Sequence, residues 1–156
     1  MLPGCGSQSL MYSYRAATEN CQCEEFRTTD RQYNIEYRFR ARYAMNHGVV
    51  TTIEVEFLNH SDDTLFLDPG VVRISSRNVQ YRYNDKFIPL PHLIIPPSRS
   101  DNVVMTGSDI SQKDDWNKIA GEQLTVTLKG IRLGLTSLAE KSVTFIPENP
   151  KLKVAP

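Results

Sequence analysis

Apolar and polar side chains alternate along much of this chain, and the alternation is strongest between residues 33 and 43. The apolar and aromatic positions of that run are Tyr33, Ile35, Tyr37, Phe39, Ala41 and Tyr43. Polar side chains fill the positions between them, including Arg38, Arg40 and Arg42. A period of two over eleven residues predicts a long β-strand with one buried face and one face in water.

A second alternating run begins after the break at Asn46-His47-Gly48 and continues to Phe57. We expect these three residues to close a β-hairpin, with Gly48 in the left-handed conformation that glycine adopts without strain. The cross-strand pairs that follow are Met45–Val49, Tyr43–Thr51, Ala41–Ile53, Phe39–Val55, Tyr37–Phe57, Arg42–Thr52, Arg40–Glu54 and Arg38–Glu56. Only this short loop keeps apolar side chains together and places arginine opposite glutamate.

Shorter segments that alternate or form brief apolar runs predict further strands, separated by turn residues. These segments are 64–67, 71–75, 79–83, 103–106, 124–128 and 143–146. Arg77-Asn78 is expected to join two of them, 71–75 and 79–83, as a second hairpin.

One short helix is predicted, at about residues 111–120. Ser111 and Asp114 resemble a capping box at its start, and Gly121 ends it. A parallel α/β fold would need several amphipathic helices. One helix among seven or eight strands therefore predicts an all-β fold, an antiparallel β-sandwich.

Residues 1–30 hold no sustained period of two or 3.6 and are interpreted as an N-terminal arm or tether. Within them, Tyr12 and Tyr14 alternate with polar neighbours, as in an edge strand. The sandwich is predicted to occupy residues 31–150, followed by a C-terminal tail at residues 151–156.

Charge and composition exclude several classes of function. The 18 basic and 18 acidic side chains give a formal charge of zero, which is unlike a nucleic-acid-binding protein. The longest apolar runs are only a few residues, too short to span a bilayer. We therefore expect no nucleic-acid partner, and contact with a membrane only through a lipid anchor.

The order of segments in the middle of the chain carries a family resemblance. The segments are "VEFLNHSDDTLFLD", "VRISSRNVQYRY", "IIPPSRSDNVVM" and "LTVTLKG". In layout, residues 32–146 resemble the immunoglobulin-like, telokin-like domains of small secreted bacterial proteins and lipoproteins. The buried Cys-Trp-Cys core of antibody domains is missing, since Trp116 lies outside any strand pattern.

The N-terminal residues Leu2-Pro3-Gly4-Cys5 resemble a bacterial lipobox, although Pro3 departs from the usual pattern. The resemblance implies lipidation of Cys5 and a place in the cell envelope, either in the periplasm or at the cell surface. The alternative is a cytoplasmic protein in which Cys5 is an ordinary thiol.

Candidate catalytic residues are few. His47, His60 and His92 fall in predicted turns or in a proline-rich segment, and no serine lies in a G-x-S-x-G motif. The chain is therefore not expected to be an enzyme, and no resident metal or cofactor is predicted. Cys21 and Cys23 are separated by one residue, which leaves metal binding, a disulfide and free thiols all open.

The loop from Asn59 to Asp63, with Asp68 beyond it, has enough oxygen atoms to bind calcium. The favoured interpretation is turn chemistry, because Asn, Ser and Asp satisfy the hydrogen bonds of turns.

Two larger sets of residues also have two interpretations. The arginine stripe either binds an anion or acidic partner or pairs with Glu54 and Glu56. The tyrosines at 33, 37, 43, 81 and 83 either form a stacking platform or belong to the core.

These observations favour a non-catalytic lipoprotein module of the bacterial cell envelope that contacts a protein or envelope partner. The alternative is a domain that binds a small ligand or a metal, such as a carbohydrate or calcium. An exposed sheet edge or apolar patch would favour the first function. A deep tyrosine-lined pocket would favour the second.

Overall fold

The structure is a computed structural model that describes residues 8–17, 25–45, 49–77, 79–83, 94–109, 123–147 and 151–154. All regular elements in these ranges are strands. They are β1 (Gln8–Ala16), β2 (Glu25–Asp30), β3 (Ile35–Met45), β4 (Val49–Asn59), β5 (Leu65–Leu67), β6 (Val72–Ser75), β7 (Val79–Tyr83), β8 (Ile94–Ile95), β9 (Arg99–Asp109), β10 (Leu124–Leu128), β11 (Ile131–Leu133), β12 (Thr136–Ser137), β13 (Lys141–Pro147) and β14 (Lys151–Val154).

The strands form a ten-stranded sheet and a four-stranded sheet. The larger has the order β6-β10-β13-β1-β3-β4-β9-β7, with β14 beside β1 and β2 beside β3. The smaller has the order β12-β11-β5-β8. Every pairing in the described part of the chain is antiparallel. The predicted all-β, antiparallel, sandwich-like architecture is confirmed at this level.

The β3–β4 hairpin has the predicted register. Its pairs run without interruption from Met45–Val49 to Ile35–Asn59, and Arg40 lies opposite Glu54. Ile35, Tyr37, Phe39 and Ala41 are buried on the inner face, and a slip by one residue would bring the arginines to that side. The loop residues 46–48, and with them the conformation of Gly48, lie outside the described residues.

Strand β1 carries the large sheet from one layer to the other. Leu10–Ser13 pair with β3, whereas Tyr14–Ala16 pair with β13. Beyond that point β2 takes the place beside β3. Segments of the range interpreted as an arm thus belong to the sheet, and Tyr14 and Ala16 are buried. A strand that changes layers midway keeps each set of neighbours for only a few residues, too few for a clear period.

Two further assignments differ from the sequence interpretation. β14, in the predicted tail, pairs with β1. The segments around Arg77-Asn78 form β6 and β7 but do not pair with each other, since β6 pairs with β10 and β7 with β9. Turn residues mark where a strand ends, but they do not determine which strand it joins. The predicted helix at 111–120 lies outside the described residues.

The core lies between the two halves of the large sheet. Phe39 of β3 and Phe145 of β13, which are not neighbours in the sheet, approach with ring centroids 6.3 Å apart. Tyr37 and Phe57 pack edge-to-face at 5.9 Å. Aromatic pairs at these separations stabilise a core beyond their buried area.

A shared break marks the passage from the large sheet into the small one. The Asp68 N–H donates to the Gly130 carbonyl at 2.9 Å, and the Lys129 N–H donates to the Val71 carbonyl at 3.0 Å. Gly130 has a φ of +85°, and Asp68 occupies the space where a side chain at residue 130 would lie. The β5–β6 and β10–β11 segments therefore bend together at one point.

Gly130→Ala is expected to lower the free energy of unfolding by about 1–3 kcal/mol, measured by urea denaturation. The added Cβ would lie 2.6 Å from the Asp68 Oδ2 atom, and the alanine would have to keep a left-handed φ. Gly70→Ala is the matched control, since φ there is +75° but nothing lies within 4 Å of the added carbon. Equal losses in the two variants would contradict the steric role of Asp68.

Candidate functional site

The outer face of β2, β3 and β4 carries a ladder of ion pairs. These are Arg27–Glu25 at 2.6 Å, Arg38–Glu36 at 2.8 Å, Arg40–Glu25 at 3.1 Å, His60–Glu36 at 3.1 Å, Arg38–Glu56 at 3.7 Å, Arg38–Glu25 at 3.8 Å and Arg40–Glu54 at 3.8 Å. Self-pairing of Arg38 and Arg40 is confirmed. Their charges are satisfied within the sheet, which leaves little attraction for an outside anion.

The ladder shifts the ionisation of its members. Partial burial raises the pKa of Glu25, but hydrogen bonds from Arg27 and Arg40 outweigh burial and hold that pKa below its usual value. The pKa of Glu36 is lowered mainly by the hydrogen bond from Arg38, and His60 adds to the effect. The bond with Glu36 raises the pKa of Arg38.

The loop after β4 is organised by Asn59, the one polar side chain among the buried residues in the described part. Its amide nitrogen donates to the carbonyls of Asp63 at 2.8 Å and Ile95 at 2.9 Å. Its amide oxygen accepts from the N–H and the hydroxyl of Ser61. All four hydrogen-bonding positions of the amide are thus used, and the loop is tied to β8.

The side chains of this loop make the hydrogen bonds of a turn. Asp63 accepts a bond from the Thr64 N–H at 2.7 Å, and Asp62 is exposed. No group of three His, Cys, Asp or Glu side chains is arranged to hold a metal among the residues described. The interpretation of Asn59–Asp63 as turn chemistry is confirmed.

The other candidates from the sequence are dispersed. His60 is exposed and bonded to Glu36, at the end of the ion-pair ladder. Cys5, Cys21, Cys23, His47 and His92 lie outside the described residues.

The tyrosines belong to the core wherever their side chains are described. Tyr37 is fully buried, and Tyr33, Tyr81 and Tyr83 pack against the core. Burial raises the pKa of the Tyr37 hydroxyl, and the charge of Asp30 adds to this. The two clefts that we describe in the resolved ranges have no tyrosine in their linings. No stacking platform therefore forms from these side chains in the described part.

An apolar surface that the sequence analysis missed lies on the small sheet. We name it the apolar edge surface and define it by Ile94, Phe66 and Arg132; Leu135, also exposed, lies in the turn between β11 and β12. Ile94 on the edge strand β8 is 56% exposed, and Leu135 is 97% exposed. Phe66 pairs with both Ile94 and Arg132, and the Arg132 guanidinium carbon lies 4.9 Å from the Phe66 ring centroid. The available signal was Phe66 itself, an aromatic residue at the outward position between Leu65 and Leu67.

A cleft opens beside this surface, where the strands bend between the two sheets. We name it the basic cleft because Arg73, Lys129 and Arg132 line it, together with Asp68 and Glu140. Its volume is about 660 Å³. The cations come from β6, β11 and the link after β10, so the sequence does not place them together.

A second, smaller cleft lies between β2 and β13. Its volume is about 380 Å³, and Phe26, Thr28 and Lys141 are among its lining residues. Lys141 also approaches the face of the Tyr37 ring, with Nζ 5.4 Å from the centroid. Its one charged lining residue is therefore already in contact with an aromatic ring.

Comparisons with known proteins add no family. No protein-family model matches this chain, and a search of curated proteins finds no match. Within the described ranges, no helix is long and apolar enough to cross a membrane. A functional assignment has to be argued from the surfaces described above.

The lowered pKa values predict a loss of stability in acid. Glu25 and Glu36 stabilise the fold above their unfolded pKa of 4.5, and the contribution is lost as the pH falls through their folded values. In urea titrations from neutral pH to about pH 3, Glu36→Gln is expected to flatten the acid decline, because the titrating group is gone.

Glu140→Gln is the control for this measurement. Glu140 is exposed and makes no ion pair with any described residue. Its stability curve should run parallel to that of the parent protein. A Glu36→Gln curve that also runs parallel would show that the ladder contributes nothing to acid sensitivity.

Proposed function

We propose that this chain is a non-catalytic interaction module of the bacterial cell envelope, anchored by a lipid on Cys5. In this proposal an immunoglobulin-like sandwich presents a surface to a protein partner. The observation that carries it is the exposure of the apolar edge surface. The immunoglobulin-like class and the short helix at 111–120 are part of the proposal. Antiparallel layers with connections that cross between them, as between β6 and β7, support that class.

The composition of the apolar edge surface suits a protein interface. Interface centres are enriched in aromatic residues and arginine, and binding energy concentrates in such residues. Phe66 and Arg132 form such a pair, with Ile94 beside them on β8, the edge strand of the small sheet in the described part of the chain. An isolated exposed leucine or isoleucine is ordinary on a protein surface, but an aliphatic edge next to a stacked arginine is a more specific feature.

The partner that we propose is a protein segment with an apolar strip flanked by acidic side chains. Arg132 borders the apolar residues directly, and Arg73 and Lys129 continue the positive charge into the basic cleft. Complementary acidic groups would therefore meet Arg132, which makes no ion pair with any described residue, at the edge of the apolar contact. A basic partner would be repelled at the same place.

In this proposal the lipid anchor and the apolar edge surface lie at opposite ends of the domain. Only Gly6 and Ser7 separate Cys5 from Gln8, the first residue of β1. An extended chain covers at most ~3.3–3.6 Å per residue, so the lipid would lie within roughly 10 Å of the sheet. This is far closer than the stand-off expected from an arm of thirty residues.

The long hairpin then separates the two ends of the domain. Leu10 of β1 pairs with Met45, next to the hairpin loop. Asn59, at the opposite end of β4, is bonded to Ile95 of the small sheet. β4 has 11 residues, which at ~3.3 Å each span roughly 35 Å. The apolar edge surface therefore lies at the end remote from the proposed anchor, where a partner can reach it.

Lipidation of Cys5 is tested by metabolic labelling with a palmitate analogue in a bacterial cell that processes lipoproteins. The full reading frame is expected to give a labelled protein in the membrane fraction. Cys5→Ser should abolish the label, because the acyl groups need that thiol. Cys21→Ser is the matched control and should keep it. Label that persists in Cys5→Ser would exclude this anchor.

The partner surface is tested by site-specific photocrosslinking in intact cells. A photoreactive residue at position 94 is expected to give a discrete adduct with one protein. The same residue at Gln80, which is exposed on β7 at the far edge of the large sheet, should give none. The adduct is identified by mass spectrometry, and the partner is then purified.

Binding to the purified partner gives the quantitative result. Arg132→Glu is expected to weaken it at least about tenfold, since a central interface arginine is replaced by a like charge facing acidic groups. Arg82→Glu, an equal charge change on β7, should leave the affinity unchanged. Equal adducts from position 80, or an Arg132→Glu variant of unchanged affinity, would reject the proposed surface.

A further inference from the structure

We propose that the basic cleft binds a phosphate group. This inference concerns a small-molecule site and does not depend on the lipid anchor or on the protein partner. It starts from the charges that line the cleft. Arg73, Lys129 and Arg132 converge there, and none of them lies within ion-pair distance of a carboxylate in the described part of the chain.

The arginines of the ion-pair ladder and the cations of the basic cleft differ in their charged partners. On the outer face of β3, Arg38 and Arg40 each contact glutamates within 4 Å. In the basic cleft, the Arg132 guanidinium packs against the Phe66 ring and makes no ion pair with any described residue. Holding like charges together without an ion-pair partner in the described part of the chain is unfavourable, and a bound anion relieves that repulsion.

The fold holds the cleft open at the shared break of the strands. Gly70 and Gly130 line it with left-handed backbone, and nothing lies within 4 Å of where a Gly70 side chain would be. Backbone without side chains lets an anion approach closely. The two arginines carry planar groups that bind phosphate oxygens in pairs, and Lys129 adds a third charge.

The carboxylates that line the cleft affect which phosphate compounds suit it. Asp68 and Glu140 also line the cleft, so among its described lining residues the cations exceed the carboxylates by one. The Asp68 carboxylate is held against Gly130, at the place where a Cβ would lie. Carboxylate oxygens beside a phosphate site accept hydrogen bonds from hydroxyl groups. The cleft, about 660 Å³, has room for more than a bare phosphate. A phosphate monoester that carries hydroxyl groups therefore fits it better than inorganic phosphate does.

The test uses the full chain without its lipid, as Cys5→Ser, and follows backbone amide resonances by NMR at low ionic strength. Inorganic phosphate and glycerol 3-phosphate are titrated separately, and potassium chloride of equal ionic strength is the salt control. Both phosphates are expected to shift the amides of Gly70, Lys129 and Gly130 in a saturable way. Glycerol 3-phosphate should bind more tightly, and chloride should have no saturable effect.

A double variant, Arg73→Gln with Lys129→Gln, is expected to weaken phosphate binding at least about tenfold. Arg82→Gln with Arg99→Gln removes the same charge from exposed positions outside the cleft and should leave binding unchanged. Equal losses of phosphate affinity in the two double variants would show that binding depends only on overall positive charge, and would overturn the proposal. Saturation with chloride, or shifts without saturation, would overturn it as well.

The source of the phosphate is separated by a second arm. Vesicles of phosphatidylcholine alone and vesicles with phosphatidic acid are mixed with the same protein. Competition by phosphatidic acid vesicles against glycerol 3-phosphate would assign the site to a lipid headgroup. Binding of the free ester without such competition would assign it to a soluble metabolite. Crosslinking at position 94 should persist in the Arg73→Gln, Lys129→Gln variant, so failure of this site and failure of the partner surface are distinguishable.

Discussion

The uninterrupted pairing of β3 with β4 is the constraint on which the rest of this fold depends. Eleven residues of each strand face one another, and the inner side of the pair is closed by buried side chains such as Tyr37 and Phe57. A slip by one residue would exchange the two faces and bring Arg38 into the core. β1, β2 and β9 pair with this hairpin, so its register determines where each of the three lies along the strand direction.

The same hairpin gives the domain two chemically different ends. Near the loop that follows Met45, the sheet is completed by β1 and β14, strands from opposite ends of the chain. At the other end, Asn59 donates one hydrogen bond to the Ile95 carbonyl of the small sheet and makes three more within its own loop. A buried amide whose donors and acceptors are all hydrogen-bonded favours one orientation of its partners and also stabilises the fold. It therefore fixes how the small sheet is attached. Both proposed sites depend on that attachment.

Charge is distributed unevenly between paired and unpaired groups. On β3 the arginines alternate with inward aromatic residues and meet glutamates on both neighbouring strands, which neutralises that face. At the break beside Gly130, cations from separate strands meet without such partners in the described part. The net charge of the chain is zero, but positive charge is in local excess at this cleft, and that excess favours an anion site.

The sequence by itself determined the β3–β4 register, the all-β class and the turn at Asn59. These features are local, because alternation and turn chemistry act between residues that are neighbours in the chain or across one loop. Only the tertiary structure decided that β6 joins β10, that β7 joins β9, and that β1 passes between the layers. It likewise decided that Arg73 meets Lys129 and Arg132 in one cleft. Such contacts join residues far apart in the chain, and they form only where burial of many side chains at once selects one arrangement of the layers.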